Sequence, residues 1–155
     1  MAHFKFEDMT RVYFKTMEKS SSSGKFKDLI SQYWLCALLG IAHNENQKDP
    51  EDPKEIVDNF AGPLKEHQHL IRALLFWKYV DKKGYSVDDT TEITTALKEV
   101  FDEQSESKLS QTAHNELDRY AAAGFMKLRE KIPHPHDLAT FLVDYCALLD
   151  TNNNN

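Results

Sequence analysis

The stretch LISQYWLCALLGIA, residues 29–42, decides the fold. It runs 14 residues without a charge, and most of its side chains are large and apolar. A surface helix shows one apolar stripe, whereas a helix apolar on most sides must be covered on most sides. The expectation is an all-α, single-domain bundle of about six helices packed around this central one. The run falls short of the roughly 20 apolar residues that a membrane span needs.

Outward from this segment, residues 6–19 read as a first helix with Met9, Val12, Tyr13 and Met17 on one face. The sequence SSSSG at 20–24 ends it as a flexible loop. The second helix covers residues 26–43. A polar loop with two prolines follows, and Pro53 is placed at the start of a short helix holding Ile56, Val57 and Phe60. Gly62-Pro63 opens a third helix with Leu64, Leu70, Ile71, Leu74, Leu75, Trp77 and Tyr79 on a broad apolar face, and Gly84 stops it.

Asp88 or Asp89 caps a fourth helix carrying Ile93, Leu97, Val100 and Phe101. The fifth runs over 111–131 with Leu117, Tyr120, Ala121, Phe125 and Leu128 inward. The sixth runs from about 135 to 149 through Leu138, Phe141, Leu142, Tyr145, Cys146 and Leu149. No segment alternates convincingly as a strand, although residues 85–87 suit an extended piece. Residues 1–150 form one helical domain on this reading, and 151–155 form a disordered tail. The small residues Gly40 and Ala121-Ala122-Ala123-Gly124 place a close crossing of the second and fifth helices near Gly40 and Gly124. A mid-helix glycine costs about 1 kcal/mol against alanine, and close packing offsets that.

A chain of 155 residues with 41% hydrophobic content is long enough to bury a core. Charges at Lys5, Glu7, Asp8, Arg11 and Lys15 argue against a secretory leader in the first 15 residues. Cys36 and Cys146 form neither a CxxC nor a disulfide framework, so a cytoplasmic setting is expected. The net charge of −6 argues against a dominant nucleic-acid surface. The charge is segregated: residues 1–43 hold six basic against four acidic side chains, 67–87 four against one, and 88–118 two against nine. One face is therefore expected to be mildly basic and another acidic.

No side-chain set reads as catalytic. His67 and His69 are two apart on a helix and point in different directions. His134-Pro135-His136 brings two imidazoles together, with Asp137 as the sole nearby third ligand, and reads as a solvated helix start. Cys36 and His43 lie about 10 Å apart along a helix, beyond hydrogen-bond reach. The carboxylates at Asp88, Asp89, Glu92, Asp102, Glu103 and Glu106 read as caps and surface. P-loop, GxGxxG, HExxH and GxSxG patterns do not occur. The expectation is a protein that is not an enzyme, with no catalytic residues, no cofactor and no metal. Lys25, Lys27, Arg72, Lys82 and Lys83 are the candidates for contact with nucleic-acid phosphates.

Three blocks resemble a known family. Phe26 and Asp28 precede an apolar helix ending Leu38-Leu39-Gly40; residues 60–75 run into a second apolar helix; and Tyr120-Ala121 with Gly124 and Leu128 is followed by Asp137-Leu138 and a closing helix. In order and spacing these are similar to small helical proteins encoded with bacterial DNA phosphorothioation systems, the Dnd system-associated proteins. Residues 86–109 lie outside the match. The resemblance implies an accessory subunit of a DNA-modification or anti-phage defence system, whose partners are other protein subunits, with no membrane. It implies no catalytic residues. The other reading is a DNA-contacting accessory protein that uses the five basic residues above, and a small helical enzyme is a distant third.

Overall fold

Asp28 begins the central helix: its carboxylate accepts a hydrogen bond from the Ser31 backbone amide, which satisfies one of the open donors at a helix start. The computed structural model describes residues 3–22, 24–26 and 28–151. Among them are six α-helices: α1 Asp8–Ser20, α2 Leu29–Ala42, α3 Gln68–Lys83, α4 Thr90–Val100, α5 Gln111–Lys131 and α6 Leu138–Asp150. The protein is mainly α-helical, as its apolar periodicity requires. No helix among the described residues is long and apolar enough to cross a membrane.

The caps follow the sequence. Asp89 accepts from the amides of Thr91 and Glu92 at the start of α4, and Asp137 accepts from Thr140 at the start of α6. Gly84 takes φ +68° just past α3, the left-handed conformation that glycine adopts without strain.

Four expectations are corrected. Residues 5–7 are extended rather than helical: β1 Lys5–Glu7 pairs antiparallel with β2 Pro53–Glu55, Phe6 opposite Lys54. The short helix expected from Pro53 is thus a strand, and the residues after it turn into a 3-10 turn at Gly62–Leu64. Helix α1 buries Thr10, Phe14 and Met17, and leaves Met9 and Val12 exposed. Helix α6 buries Phe141, Tyr145 and Leu148, while Leu142 and Cys146 face solvent. Both helices carry apolar side chains on more than one face, and Phe14 of α1 and Phe141 and Tyr145 of α6 are the rings that turn inward. The expected tail beyond Thr151 lies outside the described residues.

The chain falls into two compact units, and α5 supplies residues 111–117 to the first and 118–131 to the second. The first unit holds residues 57–117 with Phe4, whose backbone amide donates to the Val57 carbonyl. Its core joins Ile71, Leu75, Tyr79 and Val80 of α3 with Ala96 and Val100 of α4, and with Leu109, Ala113 and Leu117. Phe76 stacks on Phe101 at 5.7 Å.

The second unit holds residues 5–56 and 118–155. Here α2 is central, with Ile30, Tyr33, Cys36, Ala37, Leu39 and Ile41 buried. Phe14, Phe26 and Phe141 form an edge-to-face ring cluster beside it, and Tyr145 packs on Phe141 at a tilt. α2 and α5 cross at the two expected glycines. A Cβ on Gly124 would stand 1.8 Å from the Cys36 carbonyl oxygen, and one on Gly40 would stand 2.1 Å from that of Tyr120. The serine segment is tied down at its start: Ser20 Oγ donates to the His136 carbonyl, and Ser21 Oγ accepts from the Leu138 amide.

Candidate functional site

Positions 11, 15 and 18 of α1 are spaced i, i+4, i+7 and so share one face. That face brings Arg11, Lys15 and Glu18 to a cleft in the second unit, completed by Lys25, Phe26, Asp28, Leu29 and Gln32. The cleft has a volume of about 380 Å³. Two of its polar atoms are buried without a hydrogen-bond partner: Arg11 Nε, a donor, and Gln32 Oε1, an acceptor. Gln32 is only 6% exposed. Lys15 and Lys25 are exposed at the same cleft.

The expected phosphate contacts are distributed between the two units. Lys25 lines this cleft, and Lys27 lies outside the described residues. Arg72, Lys82 and Lys83 are in the first unit and already have partners there. Arg72 donates from Nε to the Ser107 carbonyl and from Nη2 to Gln68 Oε1, and its guanidinium lies 5.7 Å from the Phe60 ring centre. Lys82 pairs with Glu116 at 2.7 Å, and Lys83 Nζ lies 5.3 Å from the Tyr79 ring centre. Arg72 stands some ten residues from Lys82 along α3, a rise of about 15 Å.

Other candidates settle as structure. Cys36 is fully buried, and burial pushes its thiol well above the usual range. His43 Nε2 lies 3.0 Å from the Leu148 carbonyl oxygen. His134 and His136 line an open hollow with Tyr13, Thr16 and Ser20. Among the described residues no three His, Cys, Asp or Glu side chains converge as metal ligands. Glu92 accepts from the Ser86 amide and Asp102 from Gln104, as turn and cap residues do.

Two buried polar groups on α5 carry no motif and were not among the candidates. Asp118, 3% exposed, accepts from Tyr33 Oη at 2.7 Å and from the Lys5 amide at 3.0 Å. Burial raises its carboxyl to about 7 against these two bonds, which act the other way. His114, fully buried in the first unit, has Nε2 2.8 Å from Ser107 Oγ, and burial lowers its imidazole to about 4. The signal for both was spacing: 114 and 118 fall on the inward stripe of 117, 121, 125 and 128. Each group is closed off from solvent, so neither is placed to meet a substrate.

The surface also carries uncovered apolar faces. On α6, Ala139, Leu142, Val143, Cys146 and Ala147 are all exposed and follow one another at i, i+3, i+4, i+7 and i+8, with Val143 69% exposed. On α3, Leu70 and Trp77 are 70% and 56% exposed on the side opposite Ile71, Leu75 and Tyr79. No family model, curated protein or solved structure matches this chain.

Proposed function

We propose that this protein is a non-enzymatic interaction subunit that docks other proteins of a bacterial DNA-modification or anti-phage defence system. The observation that carries the docking role is the outer face of α6. Ala139, Leu142, Val143, Cys146 and Ala147, spaced along one face of the helix, are small or apolar and exposed. Such a stripe is the form in which an amphipathic helix enters a partner's groove. Leu70 and Trp77 on α3 add a second exposed apolar area, and tryptophan is a frequent anchor of interfaces. The defence context rests on the resemblance of residues 24–40, 60–75 and 117–142 to the Dnd-associated family.

The test is co-expression with the products of the neighbouring genes. The expected result is a complex that survives purification with the wild-type chain. Val143→Glu should lose the partner while keeping the wild-type melting temperature, because residue 143 is not part of the core. A wild-type chain that retains none of these products overturns the reading. Direct DNA contact has less support, because Arg72 and Lys82 are engaged within their own unit.

A further inference from the structure

The outer face of α6 has a complement on the same chain. Helix α1 leaves Met9 and Val12 more than half exposed, outside its buried stripe of Thr10, Phe14 and Met17. Val12, Thr16 and Lys19 stand at i, i+4 and i+7 on that outer side, and all three are exposed. Val143, Ala147 and Asp150 of α6 repeat the same spacing and are also exposed. The two rows match in kind, apolar then small, and end on opposite charges. Neither Lys19 nor Asp150 is in an ion pair among the described residues. Asp150 also sits at the negative end of its helix, where a cation is favoured and a carboxylate is not. Helices α1, α3, α4 and α5 carry Lys or Arg in the last turn, whereas α6 carries none.

We infer that α1 of a second copy of this chain covers the outer face of α6 when no other protein holds it. The inference rests on the reading of α6 as a docking face and names its occupant. Two helices laid side by side in the same direction bring Val12 onto Val143, Thr16 onto Ala147 and Lys19 onto Asp150. The small Thr16 and Ala147 suit an axis separation of about 8–10 Å. Asp8, at the other end of α1, then falls beside the first turn of α6, the positive end of that helix. Pairing α6 with a second α6 supplies no cation, because Asp144 and Asp150 are its only charges. The two faces are different patches, so each contact leaves one α1 and one α6 uncovered, and association continues into chains or rings. One helix face on another is smaller than a standard interface of about 800 Å² per partner, so a dissociation constant on the order of 0.1 mM is expected.

Sedimentation velocity of the full chain alone, from about 10 μM to 1 mM, tests the inference. Reducing conditions are needed because Cys146 is exposed on the face. The expected result is a mean mass that rises with concentration past that of a dimer. Val12→Glu and Val143→Glu should each stay monomeric and keep the wild-type melting temperature, since both positions are exposed. Their equimolar mixture should form a dimer and stop there, because each variant retains the face that the other has lost. Lys19→Glu, which alters no apolar side chain, should weaken association about fivefold, and adding Asp150→Lys to it should restore association. A wild-type chain that is monomeric at about 1 mM overturns the inference. So does a Val12→Glu protein that associates like the wild type, or a mixture of the two valine variants that stays monomeric. No product of a neighbouring gene is present, so a monomeric chain that still captures such a product overturns this inference and leaves the docking role standing.

Discussion

Tyr33 and Asp118 stand 2.7 Å apart at the buried meeting of α2 and α5, and their bond does more than fill space. The phenol supplies one of the two donors that let a carboxylate sit there at all. Tyr33→Phe removes that donor and leaves the charged form of Asp118 less satisfied. The expected loss is about 2 kcal/mol at pH 8 and about half of that at pH 5, where Asp118 is protonated and needs fewer donors. Denaturant unfolding at the two pH values checks this; an equal loss at both would mean that the hydroxyl acts through packing alone. Asp118 escaped notice because an acidic residue in LDRYAAAGF carries no motif, although its position on the inward stripe marks it. The cleft was partly legible in the same sense. Lys25 was visible as a basic residue beside Phe26. Arg11 and Lys15 read as ordinary surface cations until α1 lay against α2. Gln32 was the one long polar side chain in an otherwise largely apolar run, and that anomaly was the available signal.

The crossing of α2 with α5 shows what the helix patterns could determine. Caps and periodicity bound both helices closely, and the small residues Gly40 and Ala121–Gly124 mark their close approach in the sequence. The reason is steric: two backbones approach this closely only where side chains are absent. Gly124→Ala should therefore be severe, because its methyl would meet the Cys36 backbone rather than a movable side chain. A loss of about 3 kcal/mol or failure to fold is expected, against about 1 kcal/mol for alanine at Gly84, which has open space but a left-handed backbone. Thermal melting of the two variants makes the comparison, and a mild Gly124→Ala would mean that the helices can part cheaply. Faces were less legible than spans. Helices α1 and α6 are apolar on more than one side, so spacing alone cannot choose the inward one. The short β1–β2 pair was missed for another reason. Three-residue strands are too short to show a period, and the pairing of residues 5–7 with 53–55 is remote in sequence.

At the scale of the whole molecule, the two buried titratable groups of α5 set the response to acid, and they oppose each other. The imidazole of His114 is lowered from 6.5 to about 4. Between those values the unfolded chain binds a proton that the folded one does not, so His114 makes stability fall as pH falls. The carboxyl of Asp118 is raised from 3.8 to about 7. Between those values the folded chain holds a proton that the unfolded one has lost, so Asp118 makes stability rise as pH falls. The windows overlap from about pH 4 to 6.5, each group acting with a slope of up to about 1.4 kcal/mol per pH unit. Both groups sit on one unbroken helix, so a single cooperative transition is expected, and within it the two slopes largely cancel. Calorimetry from pH 4.5 to 7 should then show one transition whose midpoint shifts little. Asp118→Asn keeps an acceptor oxygen but cannot titrate, and so exposes the His114 slope alone. That variant should lose about 2 kcal/mol between pH 6.5 and 4.5, where the wild type stays nearly level. If the wild type instead melts in two steps that move apart as the solution is acidified, the units unfold independently. The step that strengthens in acid would then be the one containing Asp118, and the step that weakens the one containing His114.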